Sequence, residues 1–288
     1  MFQIVRDPGS SGSVIKQNIY KAKNSDGDWE MEYLTFPSLE ETGMVSHLFT
    51  TRLGGVSDGI YSTLNLSFSR GDDEKKVLAN YERVAKVLGC SIQDIVTSHQ
   101  THTTNIRHVT GKDAGKGVVI PRDYENIDGL ITNEPGLALA TFYADCVPLY
   151  FVDTRNRAIG LAHSGWRGTV GEMGRHMVEA MKDAFGTRPE DIVAAIGPSI
   201  CQTCYEVSED VAEQFIGKTD NIVLPGKAPG KYQLNLWLAN ATILQNAGIP
   251  AEQISITDIC TCHNPEYLYS HRASHGKRGN LGAFLMLK

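Results

Sequence analysis

Residues 136–169, GLALATFYADCVPLYFVDTRNRAIGLAHSGWRGT, contain three short apolar runs separated by polar turns. GLALATFY, PLYFVD and RAIGLAH are rich in aliphatic and aromatic residues and bounded by Gly, Pro, Asp or Asn, which predicts three successive strands. The first break falls on Asp145 and Cys146, an acid beside a thiol. The third run ends at His163 and runs into a glycine turn. Outward from this block, MVSHLFTT (44–51), DIVTSH (94–99), DIVAAIGP (191–198) and GAFLMLK (282–288) read as further strands. DEKKVLANYERVAKVLG (73–89) reads as a helix: Val77, Leu78, Tyr81, Val84, Ala85 and Leu88 recur at helical spacing and Gly89 stops it. TVGEMGRHMVEAMKDAFG (169–186) is a second, with Met173, Met177, Ala180, Met181 and Ala184 on a stripe expected to be plain core. SEDVAEQFI (208–216) starts at Ser208 as an N-cap, and NLWLANATILQNAG (235–248) runs from an Asn235 cap to a Gly248 stop. Strands and helices that alternate in this way predict an α/β protein of mixed sheets layered with helices. It should form one domain over residues 31–288. Residues 1–30, with the linker-like DPGSSGS and KNSDGD, should be peripheral.

A chain of 288 residues with 41% apolar and 21% charged residues can bury a full core. Its net charge of -6 supplies no basic field for nucleic acid, so any bound anion needs a local cluster of arginines or backbone amides. The N-terminus, MFQIVRDPGSSG, lacks the apolar run of a secretory segment, and no later run reaches membrane-spanning length; the expectation is a cytoplasmic protein without membrane contact. Six cysteines are too sparse for a disulfide scaffold and suit reduced thiols available for metal or nucleophilic chemistry. Oligomeric state is not legible.

Polar chemistry gathers at strand ends: SHQTH (98–102), ADC (144–146), AHSGWRGT (162–169) and YSHRASHGKRG (269–279). In open α/β sheets ligands bind at such ends. His102, Cys146 and His163 offer N, S and N donors, which with one position left open is a catalytic zinc pattern. Singly, each is more often an ordinary core residue; the company of Asp145, Gly165 and Arg167 raises the triple above that reading. Free amides near Thr169 beside Arg167 suit an anion such as phosphate. A rival metal set is CQTC (201–204) with CTCH (260–263): four thiols, Cys201, Cys204, Cys260 and Cys262, plus His263. It is ranked lower because C-x-C is an unusual half-site.

Several segments are similar to one family: HLFTTRLGGVSDGIYSTLNL, HQTHT, DGLIT, FYADCVPLYF, AHSGWRGT, AIGPSICQTCYEV and DICTCHNPEYLYSHR resemble the laccase-domain, or multicopper-polyphenol-oxidase-like, family over residues 45–287. The resemblance implies a fold like the catalytic domain of cytotoxic necrotizing factor. It implies zinc on His102, Cys146 and His163, and a purine nucleoside phosphorylase that also deaminates adenosine. The substrates would be adenosine, inosine or methylthioadenosine with phosphate. Relatives often carry His where this chain has Ser69, which puts Ser69 among the expected substrate contacts.

For deamination, a water on the zinc would attack C6 of adenosine; with no H-x-E motif present, Asp145 is the candidate acid/base, or else a carboxylate that merely caps its turn. For phosphorolysis, Arg52, Arg167 and Arg272 are the expected phosphate clamp, while Asn65 orients the nucleoside and Gly165 permits close approach. The main alternative is a metal-free Cys-His hydrolase or amidase acting on a peptidoglycan precursor, with Cys146 as nucleophile and His163 as base. Copper phenol oxidation ranks last, because none of the nine histidines lies two residues from another, as a trinuclear copper cluster requires.

Overall fold

The structure, a computed structural model, describes residues 2–7, 15–23, 27–217 and 220–288. Most of the linker-like DPGSSGS and the centre of KNSDGD lie outside the described residues. In chain order the strands are β1 (Lys16–Ala22), β2 (Trp29–Thr35), β3 (Val45–Thr50), β4 (Ile95–Thr97), β5 (Ile106–His108), β6 (Gly129–Thr132), β7 (Ala138–Tyr143), β8 (Val147–Asp153), β9 (Ala158–Ser164), β10 (Ile192–Ile196), β11 (Glu206–Ser208), β12 (Val223–Pro225), β13 (Lys231–Leu234), β14 (Ile254–Ile256) and β15 (Leu281–Leu287). The helices are α1 (Pro37–Glu41), α2 (Glu74–Leu88), α3 (Trp166–Val170), α4 (Met173–Phe185), α5 (Glu209–Ala212) and α6 (Leu236–Asn246).

Two mixed sheets form the body, one ordered β1-β2-β3-β15-β7-β4 and the other β14-β10-β8-β9-β6-β5, with a small β11-β13-β12 sheet beside them. β8 and β9 are buried at every position, because sheet lies on one face and helix on the other. The period of two divides their side chains: Val147, Leu149 and Phe151 face α4 and α6, while Tyr150, Val152, Ile159 and Leu161 join Phe49, Leu139, Leu281 and Leu285 between the sheets. α2 covers the outer face of the first sheet through Val77, Tyr81, Val84 and Leu88. Asp73 caps it by accepting the Lys75 N–H, and Gly89 ends it in the left-handed conformation at φ 86°.

Two of the crossings between the sheets lie near one end. The chain passes from β4 to β5 through residues 98–105, and from β7 to β8 through 144–146. Those two crossings carry His102 and Cys146.

Three expectations are corrected. The helix expected over 169–186 is two helices. It starts earlier, at Trp166, and breaks at Gly171 and Glu172, the latter at φ 58°. A side chain at Gly171 would meet Thr104 Cγ2 at 2.9 Å, so the loop bearing His102 packs into the break. The helix expected over 208–216 is only the single turn of α5, and the Ser208 hydroxyl donates to Asp210 instead of capping a backbone N–H. Part of the segment before residue 31, expected to be peripheral, is built into the first sheet: β1 pairs along its whole length with β2, from Lys16 opposite Thr35 to Ala22 opposite Trp29.

The methionines of the stripe are core, as expected, with Met173, Met177 and Met181 fully buried, whereas Ala180 is half-buried and Ala184 exposed. Gly160 lets α4 sit close, since a Cβ there would meet Met177 Cε at 2.6 Å. Met177→Ala should therefore cost about 2–5 kcal/mol, read as a lower denaturant midpoint with an unchanged slope.

Candidate metal centre

β8 and β9 pair antiparallel with Pro148 opposite His163, so Cys146, just before β8, emerges beside the end of β9. The 98–105 crossing brings His102 over both. Cys146 Sγ lies 3.9 Å from His102 Nε2, and one donor atom from each of His102, Cys146 and His163 lies within 4.8 Å of the others. Donors around one tetrahedral zinc stand roughly 3.3–3.7 Å apart, given bonds of about 2.0–2.3 Å, so small rotations close the set. The two imidazoles meet edge to face, with centroids 4.9 Å apart.

Asp128, fully buried at the start of β6, holds this arrangement together. His163 Nδ1 contacts its carboxylate at 2.7 Å, which leaves Nε2 for a metal. The same carboxylate accepts the N–H groups of Thr101, His102 and Thr103 at 3.0, 3.1 and 3.0 Å. Burial alone would raise the Asp128 pKa, but the His163 hydrogen bond and charge and the backbone donors hold it at about 2. Burial would likewise raise Cys146; the charge of His163 and hydrogen bonds from His102 and His163 outweigh it and bring the thiol to about 6. Burial opposes charge on His163, yet Cys146 and Asp128 raise it to about 9. The pair thus favours a Cys146 thiolate beside a His163 imidazolium, and binding a zinc ion would release the proton on His163 Nε2. The donor set fits the metal: one sulfur, two imidazole nitrogens, an oriented tautomer and an open side.

That open side faces a cavity of about 870 Å³, within the usual size of a ligand site. His102, Cys146 and His163 line it together with Ser69, Arg70, Tyr124 and Arg278. Gly165 is pressed against the metal ligands, since a Cβ there would meet His102 Cδ2 at 2.8 Å and Cys146 Sγ at 3.2 Å. It is needed for the ligands' approach.

Other expected site residues serve the scaffold. Asp145, at φ 89°, accepts the Thr261 hydroxyl at 2.6 Å and the Arg272 N–H at 2.7 Å, which spends both carboxylate oxygens away from the cavity. Its carboxylate fastens two distant segments to the turn and does not line the cavity. Arg52 donates to the carbonyls of Ser62 and Pro265 at 2.9 and 2.7 Å. Arg272 donates to those of Cys204 and Glu206 at 3.1 and 3.0 Å. Arg167 lies exposed, 4.2 Å above the Trp166 ring, and does not line the cavity. The three-arginine clamp is not assembled. Asn65 is fully buried; it donates to Asp72 at 2.9 Å and accepts the Asn280 N–H at 2.9 Å, so it shapes the wall behind Ser69 without reaching the cavity.

The cationic wall is instead Arg278 with Arg70. Burial and the neighbouring Arg70 pull the Arg278 pKa down to about 10, and its buried Nε has no hydrogen-bond partner. Arg278 lies within YSHRASHGKRG, but nothing in that run separates it from Arg272. Asp128 is visible in the sequence only as the acid before a strand, in DGLIT. The second thiol set is also drawn together, by Cys201, Cys204, Cys260 and His263, within 4.8 Å of one another. The remaining histidines are scattered: His47 accepts the Phe36 N–H, His99 the Asn126 N–H, and His108 packs on Phe185.

Fold and centre together define a layered α/β protein with a Cys/His cluster that could hold a metal, open to a cavity. The chain belongs to the family described as Multi-copper polyphenol oxidoreductase laccase, whose model matches residues 46–288. It is 38% identical over 246 residues to Purine nucleoside phosphorylase YlmD of Bacillus subtilis (strain 168), covering 83% of this chain and 87% of that protein. It is 34% identical over 250 residues to Adenosine deaminase RL5 of an unknown prokaryotic organism, covering 84% and 94%. The crystal structure of Bacillus licheniformis hypothetical protein YfiH superposes with a TM-score of 0.84 at 35% identity, covering 89% of this chain and 96% of that one. Among the described residues no helix is long and apolar enough to cross a membrane.

Asp128→Asn removes the negative charge and sets an NH2 donor in place of one of the two acceptor oxygens that fix His163 and the 101–103 turn. Zinc affinity should fall about 10–100-fold, measured by competition with a chromophoric chelator.

Proposed function

We propose that this chain is a zinc-dependent purine nucleoside enzyme acting in the cytoplasm. It cleaves adenosine, inosine and methylthioadenosine with phosphate to the free base and ribose 1-phosphate, and deaminates adenosine. The observation that carries this reading is a half-open His102, Cys146, His163 set on the floor of a cavity whose wall holds a half-buried Arg278 with its Nε unpartnered. The names of the similar phosphorylase and deaminase support the substrate class.

Zinc held by the three side chains would supply a Lewis acid with one position open to the cavity. The chain's own residues supply the rest. Arg278 and Arg70 attract the phosphate dianion and fix an oxygen toward C1′ of the ribose. That oxygen forms the new C1′–O bond as the C1′–N9 bond breaks; the bonding pair leaves with the purine, which takes up a proton. Phe68, Phe142 and Tyr124 line the cavity with apolar surface for the base, and Ser69 offers a hydroxyl to the sugar. The carboxylates on the cavity wall are Glu74 and Glu125, which take over from Asp145 as acid/base candidates.

A second reading has its own support. Asp128, His163 and Cys146 form a carboxylate–imidazole–thiolate relay, the arrangement of a metal-free Cys-His hydrolase. The two readings part on metal dependence.

Zinc-loaded protein incubated with inosine and phosphate should release hypoxanthine, seen by chromatography; its absence would refute the phosphorylase reading. Chelation and Cys146→Ala should both abolish turnover, whereas full activity after chelation would favour the hydrolase chemistry. Arg278→Ala should raise the KM for phosphate roughly 10–100-fold, the loss of one to two charge-assisted hydrogen bonds, with a smaller effect on the KM for inosine.

A further inference from the structure

We propose that Cys201, Cys204, Cys260 and His263 form a second, structural metal site of the zinc type, separate from the cavity centre. One donor atom from each lies within 4.8 Å of the other three. They come from two loops that follow parallel neighbours in the second sheet: 197–205 after β10 and 257–264 after β14, bridged at Ser199 and Cys260. Three sulfurs and one imidazole make a closed four-ligand set, the structural kind, in contrast to the open three-ligand set at Cys146.

Thiols in a core need no explanation by themselves. Here, however, the imidazole of exposed His263 is turned inward, its Nδ1 3.8 Å from Cys201 Sγ. The backbone is arranged for thiolates: the Cys201 N–H donates to Cys260 Sγ at 3.3 Å, and the Thr203 hydroxyl lies 3.2 Å from Cys201 Sγ. The C-x-x-C turn closes through Tyr205 N–H donating to the Cys201 carbonyl at 3.0 Å, which folds Cys204 back toward Cys201. Three thiolates around a dication leave one net negative charge. The Arg272 guanidinium, bonded to the Cys204 carbonyl at 3.1 Å, lies where it can offset that charge. The six cysteines are all free, so no disulfide competes for these sulfurs.

The site has a reason to exist beside the first. Thr261, next to Cys260, donates to Asp145 at 2.6 Å, and Asp145 adjoins Cys146. A metal at the four-ligand site would fasten the loop that fastens the turn carrying the cavity's sulfur. The inference does not depend on the proposed reaction.

Elemental analysis of the full chain, purified in reducing buffer with zinc, should give two equivalents per chain. Cys146→Ala should retain one, and Cys201→Ser/Cys260→Ser should retain the other. Because that double variant opens buried positions, His263→Ala provides the check at an exposed one: it should release the second zinc to a chelator at least 10-fold faster, with an unchanged circular dichroism spectrum. Cobalt added to apo Cys146→Ala should give the strong thiolate-to-cobalt charge-transfer band, lost in Cys146→Ala/Cys204→Ser. A single equivalent that disappears with Cys146→Ala, no cobalt band in that variant, or a Cys201–Cys260 disulfide without metal would each overturn the proposal.

Discussion

One buried carboxylate organises the centre. Asp128 is wholly removed from solvent yet ionised, and its charge is met by three N–H groups of the 101–103 turn and by the His163 imidazole. Without those partners the desolvation cost would protonate it or expel it from the core. The pairing therefore runs in both directions: the turn and the imidazole keep the charge buried, and the charge fixes both histidines. His102 is held at φ 66°, a conformation costly for a non-glycine residue, by a backbone N–H that donates into Asp128.

The same logic extends outward to the crossings that carry His102 and Cys146. At the second crossing Asp145 takes the left-handed conformation, tolerated by Asp, and its carboxylate anchors Thr261 and Arg272. Arg272 in turn ties down Cys204 and Glu206. The sulfur of Cys146 is thereby aimed at the histidines by residues that never touch a substrate. Gly165 completes the enclosure from α3 by contributing nothing larger than hydrogen.

Much of this is legible in the sequence. The strands of residues 136–169 stand as read, because a run covered on both faces is uninterruptedly apolar and its ends are marked by polar residues. His102, Cys146 and His163 are conspicuous for that reason: each breaks an apolar rhythm at a strand end, and the fold gathers them. What cannot be read is which partner each polar side chain chooses. Arg52 and Arg272 beside glycine turns look like anion ligands, but they bond to main-chain carbonyls from distant segments, and a carbonyl leaves no trace in sequence. Asp128 and Arg278 do not stand out, because an acid before a strand and a basic residue in a loop are commonplace until folding buries the one and sets the other on a cavity wall. The apolar stripe of the helix expected over 169–186 begins only at Met173 and gives no sign of the break before it; that break at Glu172 is imposed by the loop bearing His102 packing against Gly171.

The central claim is that a metal ion is gripped here by one sulfur and two imidazoles, with a position left for a reactant. X-ray absorption at the zinc edge tests it most directly, on protein whose other thiol set has been disabled by Cys204→Ser/His263→Ala. The account predicts one sulfur at about 2.3 Å and two imidazole nitrogens at about 2.0–2.1 Å, with a further light atom completing the shell. A shell without sulfur, or with more than one, would contradict it.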